Sequence, residues 1–229
     1  PFIRPPVTAP GDPRSGSASP GLRPGRIGEE EPVRSRKWSE TAFAAPQAPE
    51  QSFELTEGQR ESVTALLERM RARQHEVAVL FGVPASGKTE VYLRLLREAV
   101  QDGGQALFML PEISLTGPFF EEFSARLGVP VVLWHSRLGS GERRLAWSGL
   151  VSGSVQVVVG ARSAALLPFR DLRHVVLDEE QDESFKQESP PPYYHAREVV
   201  IQRGMAHGAL VILGSATPSL ETCQLAAVG

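Results

Sequence analysis

Apolar residues along this chain follow two patterns, which together predict an α/β fold. Short continuous apolar runs are typical of buried strands, and they occur at 77–81, 105–110, 130–134, 155–160, 173–178 and 209–213. Apolar residues spaced three and four positions apart predict helices at 87–101, 113–127, 140–150 and 195–206. Strands that alternate with helices in this way indicate a mostly parallel sheet with helices on both faces.

The first part of the chain has a different composition. Residues 1–24 mix Pro, Gly, Ser and Arg without any period, and a run of mixed charges follows at 29–37. Such a segment has too little apolar surface to offset the entropy of ordering, so we predict a flexible, disordered linker over 1–51. One folded domain is then predicted over 52–229, and its first helix should follow Thr56 as N-cap, with Gln59 as capping-box partner.

Composition and charge narrow the class of protein. The chain of 229 residues is 41% apolar but has no run long enough to span a membrane and no secretory signal, so we expect a cytoplasmic protein without membrane contact. Its single cysteine, Cys223, argues against a disulfide framework, and we expect no zinc. A formal net charge of -3 does not indicate nucleic-acid binding, although a local basic cluster would still permit it.

The strongest chemical signal is GVPASGKT at 82–89, which fits the phosphate-binding loop pattern G-x-x-x-x-G-K-[ST] between a strand and a helix. Gly82 and Gly87 allow backbone N–H groups to turn toward phosphate oxygens, and the helix N-terminus adds positive potential. We predict that Lys88 reaches the β and γ phosphates and that Thr89 ligates Mg²⁺. A plain glycine turn between strand and helix is the alternative.

A second signal is the run VVLDEEQ at 175–181, in which an apolar strand ends in carboxylates. Asp178 is expected at the carboxyl edge of the sheet, where open α/β sheets bind ligands. We predict that Asp178 holds Mg²⁺, directly or through water, and that Glu179 orients and polarises the attacking water. A solvated strand end is the alternative, and the presence of Lys88 and Thr89 upstream argues against it.

Further polar sets follow other strands of the predicted sheet, at 111–116, 160–164 and 214–219. The carboxyl ends of parallel strands share one edge, so these sets should lie beside the phosphate loop. Their hydroxyls, guanidinium and helix N-termini suit a second polyanion such as a nucleic-acid backbone, while ordinary helix capping is the alternative for each. The loop 185–197 mixes aromatic and basic residues around prolines, which fits base stacking or a plain surface loop.

Taken in order, these motifs resemble the primosomal protein N′ (PriA) family of superfamily 2 replication-restart helicases. The motifs that carry the resemblance are GVPASGKTEVY at 82–92, PEISLT at 111–116, WHS at 134–136, GARSA at 160–164, DEEQ at 178–181, SFKQE at 184–188, YHAR at 194–197 and GSATPS at 214–219. The resemblance covers roughly 53–222 and implies a RecA-like first motor domain with ATP-driven 3′→5′ translocation. It also implies primosome assembly as the role, with forked or single-stranded DNA, primosome proteins and single-stranded DNA-binding protein as partners.

The resemblance also implies residue roles. The loop and the family's adenine-reading position together give these nucleotide contacts: Gln59, Gly82, Pro84, Ala85, Ser86, Gly87, Lys88, Thr89 and Glu90. Catalytic roles fall to Lys88, Asp178 and Glu179. The residues expected near DNA, including the family's aromatic-rich loop, are Glu112, Thr116, Arg162, Ser163, Phe185, Lys186, Tyr194, His195 and Arg197. Those expected to couple hydrolysis to domain movement are Gln181, Ser215 and Thr217.

Two departures from the family pattern shape the functional expectation. Gln181 stands where the family commonly has His, which leaves hydrogen bonding possible but changes its pH dependence. No second motor domain with an arginine finger is recognisable, so we expect this chain alone to bind ATP and hydrolyse it poorly. The alternative function is an ATP-responsive scaffold that holds DNA or primosome proteins without unwinding. A small-molecule kinase is disfavoured because no lid segment is evident.

Overall fold

The computed structural model describes the backbone of residues 43–44 and 54–228 and the side chains of 54–224, all within one compact unit, Trp38–Gly229. The helices are α1 (Glu57–Arg71), α2 (Lys88–Gln101), α3 (Gly117–Leu127), α4 (Ser140–Ser152), α5 (Ala196–His207) and α6 (Leu220–Val228). The strands are β1 (Phe43–Ala44), β2 (Glu76–Phe81), β3 (Gln105–Met109), β4 (Val131–Trp134), β5 (Val157–Gly160), β6 (Leu172–Asp178), β7 (Lys186–Gln187), β8 (Tyr194–His195) and β9 (Leu210–Ser215). Short 3-10 turns lie at Glu112–Ser114, Arg162–Leu166 and Glu183–Phe185.

The main sheet has the strand order β1-β4-β5-β3-β6-β9-β2. Every pairing from β4 across to β2 is parallel, and β1 alone runs antiparallel, against β4. Each apolar run that predicted a strand forms one of the parallel strands, so the predicted mostly parallel α/β fold is confirmed. The strands β7 and β8 form a separate antiparallel ribbon outside this sheet.

Helices cover both faces of the sheet, so its central strands are buried on both sides. Side chains alternate across β3, where Phe108 packs into the core beneath α1, α2 and α3, while Leu107 and Met109 pack into the core beneath α4 and α5. All residues of β3 are buried. This explains why the strands read as continuous apolar runs rather than as an alternating pattern.

Helix starts follow local capping chemistry. The predicted capping box is present, since Thr56 N donates to Gln59 Oε1 (2.9 Å) and Gln59 N donates to Thr56 Oγ1 (3.4 Å). The helix predicted from 113 begins instead at Gly117, because Thr116 caps it by accepting from Phe119 N (3.4 Å). The residues ahead of this cap form the separate 3-10 turn.

The strand β1 lies inside the range predicted as linker. Its pairing with β4, in which Phe43 lies opposite Val132, was not foreseen from the sequence. The rest of the range 1–51 falls outside the described residues, so the linker and its boundary stay predictions. Among the helices that the structure describes, none combines the length and the apolar character needed to cross a membrane.

Candidate functional site

The order of the strands brings the phosphate loop and the acidic run to the same carboxyl edge of the sheet. The loop follows β2, Asp178 ends β6, and β9 lies between these two strands. In the register of β9, Ser215 lies opposite Phe81 and Gly214 lies opposite Asp178. The 214–219 turn therefore leaves the sheet between the loop and the acidic residues.

The loop is anchored at its start, and its middle residues are exposed. Gly82 N donates to Ser215 O (3.1 Å), which fixes the start of the loop against β9. Lys88, in the first turn of α2, extends its ammonium back across the loop and donates to Gly82 O (2.8 Å). Residues 83–86 are exposed, so a ligand can reach the backbone of the loop.

Two glycines of this loop lie close to neighbouring side chains, and the backbone of the second one favours glycine. A Cβ on Gly82 would lie 2.6 Å from Ser86 Oγ. Gly87 has a φ of +81°, and a Cβ there would lie 2.3 Å from Gln59 Nε2. That amide nitrogen donates to Ser86 O (2.9 Å), so α1 contacts the loop through the residue predicted to read adenine.

Asp178 is held by a buried tyrosine that the sequence analysis did not single out. Tyr92 is fully buried, and its hydroxyl donates to Asp178 Oδ1 (2.9 Å). Burial raises the pKa of the Asp178 carboxyl, while the hydrogen bond from Tyr92 and the charge of Lys88 act in the opposite direction. Burial, together with the charge of Asp178, raises the pKa of the Tyr92 phenol, so it stays a hydrogen-bond donor.

A chain of hydrogen bonds runs from the acidic turn, residues 179–181, to the 214–219 turn. Gln181 Nε2 donates to Glu179 Oε2 (2.8 Å), and Ser215 Oγ donates to Gln181 Oε1 (2.6 Å). Ser215 Oγ in turn accepts from Thr217 N (2.9 Å). Gln181 can bridge these groups because its amide carries both a donor and an acceptor. Glu179 has a φ of +53°, a rare conformation for a residue with a Cβ, and such strain often lies at functional sites.

Glu180, which the sequence analysis did not assign, is the most heavily bonded carboxylate of this region. It is fully buried and accepts from Arg197 Nη1 (3.0 Å), Ser219 N (2.7 Å), Ser219 Oγ (3.1 Å) and Thr222 Oγ1 (2.8 Å). Burial alone would raise the pKa of Glu180, but these donors outweigh it and lower the pKa. The ionised Glu180 therefore ties the acidic turn to the start of α5 and of α6.

The comparisons with known proteins agree with this geometry. The sequence profile of the DEAD/DEAH box helicases matches residues 56–226. This chain belongs to the DEAD/DEAH box helicase family. Its relatives include "Replication restart protein PriA" of Bacillus subtilis, at 42% identity over 76% of this chain and 22% of that protein. The protein of the same name from Synechocystis is 39% identical over 86% of this chain and 23% of its own length.

These identities confirm the resemblance to PriA that the motifs predicted. The chain spans less than a quarter of the length of the curated relatives described above. Among solved structures, RecG bound to a three-way DNA junction matches with a TM-score of 0.55 and 21% identity, over 76% of this chain and 22% of that one. An identity this low shows the fold alone, and it agrees with the predicted RecA-like α/β domain.

Two side chains that we expected near DNA are buried in this structure. Phe185 is fully buried and packs into the core beneath α4 and α5, so its ring is not available to stack on a base. Arg197 is 7% exposed, and Glu180 occupies its guanidinium. In this conformation the first side chain supplies packing and the second supplies charge compensation, and their contact with DNA stays a prediction.

Arg162 has a structural use in addition to any contact with DNA. Its Nη1 donates to Ser184 O (3.0 Å) and Lys186 O (2.6 Å), so it anchors the start of the β7–β8 ribbon to the 160–164 turn. Lys186 is exposed and pairs with Glu188 (2.6 Å). His195 Nδ1 accepts from Arg197 N (3.2 Å) and caps α5, and burial lowers the pKa of this imidazole.

The remaining DNA candidates lie along the same edge of the sheet. Ser163 Oγ accepts from Trp134 Nε1 (3.1 Å), and Glu112 Oε1 accepts from Ser136 Oγ (2.8 Å). Both Ser163 and Glu112 are exposed, and Tyr194 in β8 is half-buried. A cavity beside the ribbon brings together several predicted site residues, among them Arg162, Gln181, Lys186, His195 and Arg197.

The residues present suit a nucleotide with Mg²⁺. In the described part of the chain, no cluster of at least three His, Cys, Asp or Glu side chains could hold a metal ion. A Mg²⁺ ion that binds with a nucleotide takes only one or two carboxylates, and phosphate and water oxygens complete its shell. The hydroxyl of Thr89 and the carboxylate of Asp178 are therefore a suitable protein ligand set, beside a loop that leaves room for phosphate.

Proposed function

We propose that this chain is the ATP-binding first motor domain of a PriA-type DNA helicase that moves 3′→5′ and acts in replication restart. The observation that carries the proposal is the hydrogen-bonded path Glu179–Gln181–Ser215–Thr217, which meets the phosphate loop at Ser215, whose carbonyl oxygen accepts from Gly82 N. A domain that only held a nucleotide would not need such a path. A motor needs one because the state of the phosphate site must reach a surface that moves.

In this mechanism the chain contributes positioning and charge, which dominate catalysis of phosphoryl transfer. Lys88 and the loop N–H groups would hold the β and γ phosphates. Thr89 and Asp178 would hold Mg²⁺, which would neutralise charge on the phosphate oxygens. Glu179 orients the attacking water and accepts its proton, at the end of the path that leads to Ser215.

Gln181 gives the path a particular property. A Gln at this position has no proton to lose or gain near neutral pH, whereas the His common in the family titrates there. The amide of Gln181 bonds to Glu179 on one side and to Ser215 on the other. A change of the hydrogen bonds at Glu179 would therefore pass to Ser215 independently of pH in the neutral range.

The partners and location belong to the same proposal. Forked or single-stranded DNA, other primosome proteins and single-stranded DNA-binding protein are the expected partners, and the cytoplasm is the expected location. Their support is the identity of 38–42% to proteins named for replication restart. The resemblance assigns an arginine finger to a second motor domain, and such a finger raises the rate of related reactions by about 10³–10⁵. Residues 1–229 by themselves should therefore hydrolyse ATP slowly.

A fluorescent ATP analogue with Mg²⁺, titrated against the chain, tests the nucleotide site. Lys88→Ala should weaken binding by about 10- to 100-fold, because a hydrogen bond to a charged group contributes about 1.5–3 kcal/mol. Lys186→Ala is the matched control, since it removes an exposed lysine of the β7–β8 ribbon. Equal affinities of the parent chain and Lys88→Ala would contradict the assignment of the phosphate loop.

The helicase assignment needs the full-length parent protein, assayed for ATP hydrolysis with and without single-stranded DNA. DNA should stimulate turnover, and Gln181→Ala should reduce this stimulation more than it weakens nucleotide binding. Nucleotide binding without any DNA-stimulated turnover would favour the scaffold over the motor.

A further inference from the structure

We propose that Tyr92 is a positioning residue for the metal site, which holds the Asp178 carboxylate in the orientation that Mg²⁺ requires. The proposal rests on the proposed nucleotide site and adds a residue to it. Tyr92 is not one of the residues predicted to bind the nucleotide or the metal. It acts through Asp178, to which its hydroxyl donates at 2.9 Å.

The hydroxyl of Tyr92 is itself fixed in space. Tyr92 lies one helical turn after Lys88 on α2, so both side chains leave the same face of the helix. The ring is fully buried and packs against Phe108 of β3, with ring centroids 5.6 Å apart and an interplanar angle of 47°. Because the ring cannot turn away from the sheet, its hydroxyl stays at Asp178.

The neighbouring strand independently shows that space is kept for this contact. Gly214 of β9 lies opposite Asp178 in the sheet register. A Cβ on Gly214 would lie 1.8 Å from Tyr92 Oη and 2.8 Å from Asp178 Oδ1. No side chain larger than hydrogen therefore fits beside the bonded pair, and the glycine at this point of the 214–219 turn is explained.

The consequence for the metal follows from the two oxygens of the carboxylate. The hydrogen bond from Tyr92 engages Oδ1, and the backbone of Glu179 also bonds to this carboxylate, so its rotation is restricted and its remaining lone pairs face Mg²⁺ or its water in a fixed orientation. Partners that orient metal ligands in this way typically change metal affinity by 10- to 100-fold when they are removed. Among the side chains that the structure describes, Tyr92 is the one that donates a hydrogen bond to Asp178.

Tyr92→Phe tests the proposal because it removes the hydroxyl and keeps the ring. The matched control is Tyr193→Phe, which removes a hydroxyl from a residue that is 71% exposed. For each chain, a fluorescent ADP analogue is titrated in EDTA and then at increasing Mg²⁺ concentrations. Electron paramagnetic resonance of Mn²⁺ with ADP gives a direct second measure of metal binding.

Tyr92→Phe should leave nucleotide affinity in EDTA within about twofold of the parent and raise the Mg²⁺ and Mn²⁺ requirement about 10-fold. Gly214→Ala, which displaces the hydroxyl, should shift the metal requirement in the same direction. A folded Tyr92→Phe chain with the parental metal requirement would overturn the proposal. So would a variant that lost its fold, since the hydroxyl would then serve stability. Failure of the parent chain to bind any nucleotide would instead contradict the proposed function.

Discussion

Removing the guanidinium of Arg197 should destabilise the domain strongly, although the sequence predicted that this residue contacts DNA. Arg197→Met keeps the aliphatic volume and leaves the Glu180 carboxylate buried without its charged partner. Breaking a buried ion pair in this way costs about 3–5 kcal/mol. We expect about 3 kcal/mol, the lower end, because Ser219 and Thr222 still donate to Glu180.

The assay is urea unfolding of the chain at pH 7, monitored by circular dichroism, which gives the free energy of unfolding. In thermal unfolding, a loss of about 3 kcal/mol would lower the melting temperature by about 6–12 °C for a domain of this size. Lys186→Met is the control, because it breaks the Lys186–Glu188 pair, whose side chains are 59% and 71% exposed. An exposed pair contributes about 0–1 kcal/mol, so this variant should unfold close to the parent.

A double variant separates the charge from the packing. Glu180→Gln combined with Arg197→Met leaves no isolated charge, so it should recover part of the stability lost in Arg197→Met. The reasoning would be refuted if Arg197→Met lost less than about 1 kcal/mol, which is the range of an exposed pair. A variant of parental stability that bound DNA less tightly would restore Arg197 to the DNA surface.

Two further predictions concern other buried side chains. His174 is fully buried and its pKa is lowered to about 4, so the unfolded chain takes up a proton near pH 6.5 before the folded chain does. Stability should therefore fall by about 2 kcal/mol from pH 7 to pH 5 through this residue, and His174→Gln should remove that part; equal pH dependences in urea unfolding would show that it is not buried as neutral imidazole. Phe185→Ala should lower the free energy of unfolding by about 3–5 kcal/mol, whereas Tyr193→Ala should change it by less than about 0.5 kcal/mol. A Phe185→Ala chain of unchanged stability but weaker DNA binding would contradict the burial of this ring.

The features that could be read from the sequence are those that depend on neighbouring residues. The phosphate loop is one, because the backbone angle at Gly87 and the position of Lys88 follow from a few consecutive residues. The capping box of Thr56 and Gln59 is another, since both partners lie within one helical turn. Each parallel strand could be predicted because burial on both faces demands a continuous apolar run.

The sequence by itself therefore determined the fold class, the phosphate loop and the acidic strand end. Tertiary structure decided which polar side chains face the ligand edge and which are used inside. Tyr92 reaches Asp178 across 86 positions of the chain, and Arg197 reaches Glu180 across 17. Composition cannot distinguish a buried arginine or phenylalanine from an exposed one in a proline-rich loop. That distinction depends on which strands lie side by side, since β9 between β2 and β6 sets what each side chain can contact.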